Sequence, residues 1–250
     1  MRFLKLTVAY DGRDFVGWQV QPNGPTIQGH LEEAWLQFTG ETLRITGSGR
    51  TDSGVHALGQ VASLATESTM PTRAIRLAIN AHLPTAIVVR QVEEAPDGFN
   101  AISDAIEKTY RYWIQTGRIK NPFLAQRAWF VPRELDLCRM QSAAAHLVGE
   151  QDFASMQTTG APRQTTVRDV RALTVAQQDI DGFQVFEVQV TANGFLYNMV
   201  RNIVGTLVDV GRGRTDPGQI PVILQARDRA AAGPTAPAAG LTMLHVRYPF

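Results

Sequence analysis

Gly-Ser-Gly-Arg-Thr-Asp-Ser-Gly, at residues 47–54, is the octapeptide from which this 250-residue chain is best understood, because it joins two predicted strands. Its glycines let the backbone turn sharply and let another molecule approach it closely. An acid, Asp52, a base, Arg50, and several hydroxyl groups share the turn. These residues alone favour equally a functional site and a surface hairpin, in which Asp52 accepts hydrogen bonds from turn amides.

Three known motifs share features with this octapeptide, and two of them are excluded. A phosphate-binding P-loop requires Gly-Lys-[Ser/Thr], which does not follow at the required spacing. A dinucleotide-binding fingerprint requires a third glycine where the chain has Asp52. Residues 52–54 match the triplet of aspartic proteases, but Arg50 and Thr51 replace the apolar residues that precede it there. Because the chain holds no second Asp-[Ser/Thr]-Gly, only a dimeric protease could pair two such carboxylates.

Outside the octapeptide, hydrophobic periodicity predicts strands and helices that alternate along the chain. Strands are predicted at residues 3–10, 43–46, 60–65, 87–92, 109–115, 167–175, 183–191 and 243–246. Helices are predicted between Thr26 and Gly40 and at residues 71–82, 136–148 and 195–210, with a loop at 230–240. The order β-α-β-β-α-β therefore occurs about twice. It predicts an α+β fold whose two similar halves, residues 1–105 and 106–250, form a mixed, largely antiparallel sheet flanked by helices.

The composition excludes several classes of protein. Hydrophobic residues make up 44% of the chain and charged residues 19%, which excludes a disordered protein. The formal net charge of +1 neither supports nor excludes an RNA partner. A single cysteine, Cys138, excludes an intramolecular disulfide and a Cys-rich zinc site. No apolar run approaches the roughly 20 residues of a transmembrane helix, and no signal-peptide pattern precedes the first strand, so we expect a cytoplasmic protein without a membrane partner.

Extended by three residues, the octapeptide carries a family resemblance. Residues 49–57, Gly-Arg-Thr-Asp-Ser-Gly-Val-His-Ala, resemble the active-site motif of the tRNA pseudouridine synthase A (TruA) family. Further strings resemble the family in order over nearly the whole chain: residues 10–12, 15–19, 26–28, 80–84, 110–112, 198–205 and 235–241. Each string alone is weak evidence. Together, in order and at family-like spacing, they are specific.

The resemblance implies the pseudouridine synthase fold and a reaction. The family breaks the bond from C1′ to N1 of a uridine, turns the base and joins C1′ to C5, in the anticodon stem-loop of tRNA at uridines 38–40. Nothing is oxidised and nothing is hydrolysed overall, so we expect neither a metal nor another cofactor. The chemistry needs an ionised carboxylate as nucleophile or base, and the resemblance places that role on Asp52. Attack on the base, attack on C1′ and removal of a sugar proton all stay open.

The resemblance also implies roles for other residues. Arg201 would be the ion-pair partner that keeps Asp52 ionised, since a nearby Arg offsets the penalty of burying a charge. Tyr110 would stack on the target base and assist proton removal from C5. Arg50 would fill the space left by the extruded uridine, and Leu241 would pack over the base. From the residues alone, a surface position is the favoured interpretation of Arg201, and Tyr110 and Leu241 could belong to the core.

The implied partners are tRNA and a second copy of the chain, since the family acts as a homodimer. Two basic groups are candidate phosphate contacts: Lys108, Arg111, Arg118, Lys120 and Arg127, and then Arg163, Arg168 and Arg171. Asn100 and Ile102 depart from the family, which commonly has His and Arg there, so a contact made by those residues in relatives is in doubt. The alternative function is a catalytically inactive tRNA-binding protein of the same fold. The presence of Asp52, Tyr110 and Arg201 argues against it.

Overall fold

The computed structural model describes residues 1–158 and 165–250, and the chain divides into two compact units. The first unit comprises Met1–Ile106 and Thr242–Phe250, and the second comprises Glu107–Leu241. The predicted second half ran to residue 250. Residues 242–250 instead group with the first unit, because the C-terminal strand pairs with a strand of that unit.

The first unit contains a sheet and two helices that follow the predicted order. Its elements are β1 (Arg2–Tyr10), α1 (Ile27–Thr39), β2 (Thr46–Gly47), β3 (His56–Thr66), α2 (Thr72–His82), β4 (Ile87–Ala95) and, at the end of the chain, β10 (Leu241–Arg247). β1 lies between β3 and β4 and is antiparallel to both, whereas β10 runs parallel to β3. Alternate residues of β1, from Leu4 to Tyr10, are buried, as its alternating pattern predicts.

Helix α1 begins and ends where the sequence predicts. The Thr26 side chain accepts a hydrogen bond from the Gly29 amide at 3.2 Å, which satisfies one of the free N–H groups of the first turn. Gly40 ends the helix in the left-handed region, with a φ of 76°. Leu31 and Trp35 lie on its buried face.

The strand predicted at residues 43–46 is wrong for most of its length, because only Thr46 and Gly47 pair with β3. The backbone of Ile45 is bonded to side chains of α1 instead. Its N–H donates to Glu32 at 3.0 Å, and its carbonyl accepts from Gln28 at 2.9 Å. The N–H and C=O groups of Ile45 are therefore satisfied by side chains and do not take part in a strand ladder.

In the part of the chain that the structure describes, the second unit contains the other strands of the ten-stranded sheet and three α-helices. Its elements are β5 (Glu107–Thr116), β6 (Trp129–Val131), α3 (Leu137–Ala145), β7 (Gly149–Asp152), β8 (Val167–Ile180), β9 (Phe183–Ala192), α4 (Met199–Gly211) and α5 (Ile220–Ala226). The strands β5, β9, β8 and β7 are antiparallel in that order, and β6 runs parallel to the end of β5. Helix α3 packs on β8 and on α4. The structure is thus the α+β fold that the order of elements predicts.

The start of α4 differs from the prediction of residue 195. Asn198 has a φ of 59°, which is left-handed and cannot continue a right-handed helix, so α4 begins at Met199. The sequence reading also missed β6, β7 and α5, which are too short to establish a period.

No helix within the described ranges is both long and apolar enough to cross a membrane.

Candidate active site

Asp52 lies in a tight turn whose backbone is fixed on both sides. The Val55 amide donates to the Asp52 carbonyl at 3.1 Å and closes the turn. Asp52 also forms an antiparallel bridge with Gly17, and the Trp18 amide donates to the Thr51 carbonyl at 3.0 Å. The half-buried Asp52 side chain is therefore carried by main chain that the segment after β1 holds in place.

The residues on either side of Asp52 are anchored in different environments. Thr51 is buried, and its Oγ1 lies 2.8 Å from the Tyr10 hydroxyl. Burial raises the pKa of Tyr10, so this phenol stays protonated and hydrogen bonded. Ser53 is exposed, and its hydroxyl donates to the Phe15 carbonyl at 3.2 Å. The Thr51 side chain is thus tied to the last residue of β1, and the Ser53 side chain to the segment that follows β1.

Two glycines let that segment approach the Asp52 turn. A Cβ on Gly17 would lie 2.8 Å from the Thr51 carbonyl oxygen, and its φ of 121° disfavours any side chain. A Cβ on Gly12 would lie only 2.0 Å from the Val55 carbonyl oxygen. The strings at residues 10–12 and 15–19 therefore belong to the same site as the octapeptide, as its supporting wall.

His56 connects the chain after the Asp52 turn to Asp11 and Gly12, and the sequence analysis did not single it out. Its Nδ1 accepts from the Gly12 amide at 3.1 Å and lies 3.2 Å from Oδ1 of Asp11. Asp11 also accepts two hydrogen bonds from the Arg13 side chain. Burial acts to raise the pKa of Asp11, but the hydrogen bonds from the side chain and amide of Arg13 outweigh it and lower that pKa. The only sequence signal was that His56 and Asp11 both lie in strings of the resemblance.

Gln60 fixes the base of the octapeptide and was also missed. It is fully buried, accepts from the Ser48 hydroxyl at 2.6 Å, and donates to the Gly49 carbonyl at 2.8 Å. Its Oε1 also accepts from the Val61 amide at 3.1 Å. Arg50, which follows Gly49 in the chain, is exposed at the surface of the turn. The structure thus brings Asp52 and Arg50 together in the first unit on a hydrogen-bonded support.

Three other predicted site residues lie in the second unit: Tyr110, Arg201 and Leu241, which is the last residue of that unit and the first of β10. Tyr110 is a buried residue of β5, and its ring meets that of Phe195 edge to face, with centroids 5.1 Å apart. The Arg201 guanidinium on α4 donates to the Ala236 carbonyl at 2.7 Å and to Oδ1 of Asn198 at 2.9 Å. Leu241 is 6% exposed. Arg201 is therefore tied to the loop that leads to Leu241 and does not extend freely into solvent.

Asn202 holds the same loop from the next position on α4. Its Nδ2 donates to the Met156 carbonyl at 2.8 Å, and its Oδ1 accepts from Arg229 at 3.0 Å and from Thr235 at 2.7 Å. A Cβ on Gly205 would lie 1.6 Å from the Pro234 carbonyl oxygen. The strings at residues 198–205 and 235–241 therefore contact each other in the structure, as the start of α4 and the loop before β10.

The candidate phosphate contacts fall into different environments. Arg171 is neutralised by Glu107 at 2.7 Å and by Asp169 at 3.3 Å. The half-buried Arg111 guanidinium lies 4.0 Å from the centre of the Trp113 ring. Other candidates are exposed cations in the segment that follows β5: Arg118, Lys120 and Arg127. Arg163 lies outside the described residues.

The departures at Asn100 and Ile102 have a local structural account. Oδ1 of Asn100 accepts from the Ile102 amide at 2.9 Å and from the Ser103 amide at 3.3 Å, so this short side chain closes a turn. Ile102 is 57% exposed.

Within the described ranges, no group of three or more His, Cys, Asp or Glu side chains is placed to hold a metal ion.

Comparison with known proteins gives one family for the whole chain. The model of a family described as tRNA pseudouridine synthase matches residues 6–102 and 143–249. Three proteins named tRNA pseudouridine synthase A each align over 248 residues, covering 99% of this chain and 100% of the relative. They come from Geotalea uraniireducens (45% identical), Geobacter sulfurreducens (44%) and Brevibacillus brevis (46%).

One solved structure, the crystal structure of a Cbf5-Nop10-Gar1 complex, is similar over 96% of this chain and 57% of the matched chain. The TM-score is 0.33 and the sequence identity is 15%, which is too low to carry an argument about this chain.

Proposed function

The chain belongs to the tRNA pseudouridine synthase family, and we propose that it isomerises uridines 38–40 of the tRNA anticodon stem-loop with Asp52 as its catalytic carboxylate. Family membership makes it an enzyme of the isomerase class that converts uridine in tRNA into pseudouridine. The choice of Asp52 and the position of the uridine within the tRNA are the proposal.

The anchoring of Asp52 is the observation that carries this proposal. A catalytic carboxylate must be held within a fraction of an ångström of its working position, because proximity and orientation supply much of the rate. The turn is bonded to Gly17 and Trp18, and Gln60 fixes its base through Ser48 and Gly49. A surface hairpin would not need this support.

The balance of the reaction defines what the carboxylate does. The C1′–N1 bond breaks, the base turns, the C1′–C5 bond forms, and the proton on C5 leaves to solvent as N1 gains one. Asp52 acts either as the nucleophile or as the base in this sequence. For Tyr110, Arg201, Arg50 and Leu241 we propose the supporting roles that the resemblance implies.

Release of the C5 proton provides the assay. A tRNA transcript labelled with tritium at C5 of uridine loses the label as pseudouridine forms. We expect Asp52→Asn to lower the release at least about a thousandfold while tRNA binding stays within a few-fold, since the amide is isosteric but cannot act as nucleophile or base. Asp97→Asn, at an exposed carboxylate of the same unit, is the matched control and should keep wild-type release.

Release at the wild-type rate by Asp52→Asn would show that another group is the catalytic carboxylate. A wild-type protein that binds tRNA but releases no tritium would support the inactive tRNA-binding protein instead. Arg201→Ala should also slow release, and an unchanged rate would contradict its supporting role. Mapping pseudouridine in total tRNA from cells with and without the protein tests the position, because loss outside residues 38–40, or no loss, contradicts it.

We further propose that the enzyme is a cytoplasmic homodimer. The resemblance supports the dimer, and the tRNA substrate supports the compartment. Sedimentation equilibrium of the purified protein should give twice the monomer mass of 27.5 kDa. A monomer at micromolar concentration, or recovery of the protein outside the cytoplasmic fraction of cells, would contradict the respective part.

A further inference from the structure

The chain between β5 and β6 adds exposed apolar side chains, which no role above uses, to the candidate phosphate contacts already named there. We call residues 117–128 the basic loop. It contains Arg118, Lys120 and Arg127, all exposed, and from residue 108 to residue 133 the sequence has no Asp or Glu. The loop therefore has a positive charge that no carboxylate of its own sequence offsets.

Two large apolar side chains are exposed among these cations. Phe123 is 83% exposed and Ile119 is 74% exposed. The neighbouring Leu124 is buried against Ala128 and Val185, so the loop does have a core-facing side. Phe123 nevertheless points away from it. A large exposed aromatic among like charges is characteristic of a binding surface, because water contact with its ring is unfavourable unless a partner covers it.

The backbone that presents Phe123 is fixed rather than loose. Asn121 is 1% exposed; its N–H donates to Gln115 at 3.1 Å, and its Oδ1 accepts from the Phe123 amide at 2.9 Å. Gln115 also donates to the Ile119 carbonyl at 2.9 Å. Because Gln115 is a buried residue of β5, it anchors the loop to the sheet. A preorganised aromatic loses little conformational entropy when it binds.

We propose that the basic loop is a stacking site for an unpaired base of the tRNA, with Phe123 as the platform and Arg118, Lys120 and Arg127 as contacts to neighbouring phosphates. Single-stranded RNA is recognised by this combination of aromatic faces and cations. This inference rests on the proposed function only in taking tRNA as the RNA. It gives the enzyme a binding residue that acts on affinity and does not touch the reacting atoms.

Charge favours RNA over a second copy of the chain as the occupant. A symmetric dimer built on this loop would bring two sets of the same cations face to face, which costs free energy. RNA phosphates instead neutralise those cations and release counterions.

The test separates stacking from general apolar contact by three substitutions at Phe123. In filter binding with a full-length tRNA transcript at fixed salt, we expect Phe123→Ala and Phe123→Leu to raise Kd about tenfold, and Phe123→Trp to stay within twofold of wild type. In the tritium assay the first two should raise KM with kcat unchanged. Lys120→Ala should weaken binding and reduce the salt dependence of log Kd by about one unit of slope. Val222→Ala, at another exposed apolar residue (63%), is the control and should change nothing.

Several results would overturn the stacking site. A wild-type Kd in both Phe123→Ala and Phe123→Leu would show that no base stacks on Phe123. A wild-type Kd in Phe123→Leu alone would show that the RNA makes a general apolar contact there and does not stack. Loss of dimer mass in Phe123→Ala would make the loop a protein interface, and binding of wild type but not Phe123→Ala to vesicles of anionic lipid would make it a membrane contact. Kd is measured in both wild type and Asp52→Asn. A protein that binds and converts tRNA regardless of Phe123 disproves only the stacking site, whereas one that neither binds nor converts tRNA disproves the proposed function.

Discussion

Gly12 is required by the space around it and not by an unusual conformation of its own backbone. It lies at the start of a 3₁₀ turn, Gly12–Asp14, with its amide donating to His56. The carbonyl oxygen of Val55 occupies the place where a Cβ would be. Close approach of this kind couples residues that are far apart in the sequence, and it explains why a short string beside β1 accompanies the octapeptide.

We therefore expect Gly12→Ala to displace the Asp52 turn. The added methyl meets main chain, which cannot rotate away as a flexible side chain could, so Val55 and the turn it closes must shift. A shift of about an ångström is enough to lower kcat by 10- to 100-fold. Tritium release under saturating tRNA measures this effect.

Gly40→Ala is the matched control for Gly12→Ala. Gly40 has a φ of 76° with no atom near its would-be Cβ, so alanine there costs about 1 kcal/mol of stability and touches nothing. It should lower the melting temperature slightly and leave kcat unchanged. Equal kcat in Gly12→Ala and wild type would show that the turn tolerates the displacement.

At the scale of elements, α4 acts as a holder for the loop that precedes β10. Its Arg201 guanidinium and Asn202 amide form hydrogen bonds with that loop. Gly205 has no side chain, so the backbone of the loop can pack directly against the helix. Helical periodicity predicted that α4 exists and which stripe of it is apolar. It did not predict that a polar residue of this helix, Asn202, is fully buried, because a single Asn carries no signal of its partners.

We expect Asn202→Leu to destabilise the second unit by about 3 kcal/mol. The substitution keeps the volume but leaves the Met156 carbonyl, the Arg229 guanidinium and the Thr235 hydroxyl without this partner, and each buried polar group so stranded costs about 1–3 kcal/mol. The midpoint of denaturant unfolding measures the loss. Gln225→Leu, at an exposed position of α5, should stay within about 0.5 kcal/mol of wild type. Equal midpoints for the two variants would contradict the role of Asn202.

At the scale of the whole molecule, both units contain carboxylates whose pKa is lowered. Burial acts to raise the pKa of Asp11, Glu41 and Asp152, but hydrogen bonds to the ionised form, and nearby cations at Asp11 and Asp152, outweigh it. Glu41, for example, accepts from the indole of Trp35, the Thr66 hydroxyl and the Glu67 amide. These groups make the fold depend on their ionisation.

The direction of the resulting pH dependence follows from linkage. A carboxylate with a lower pKa in the folded state stabilises the fold fully above its unfolded pKa of about 4, and this stabilisation is lost as pH falls through the folded pKa. We therefore expect the denaturant midpoint to be constant near neutral pH and to fall below about pH 4. Glu41→Gln should be less stable at pH 7 and should lose less on acidification. A variant as acid-sensitive as wild type would contradict the contribution of Glu41.

The sequence by itself determined what depends on local chemistry and on repeated patterns. Thr26 and Gly40 defined α1 because capping and left-handed backbone are properties of single residues, and alternation defined β1 and β9 because a strand with one buried face repeats every two residues. The octapeptide and the ordered strings around it defined the family, which the comparisons confirm.

Only the tertiary structure decided how these pieces support one another. It assigned Ile45 to the side chains of α1 rather than to a strand, grouped β10 with the first unit, and placed Gly12, His56 and Gln60 around the Asp52 turn. The physical reason is that hydrogen bonds and close contacts between distant residues leave no periodic trace in the chain. They depend on where the backbone returns, and that is settled by packing of the whole unit.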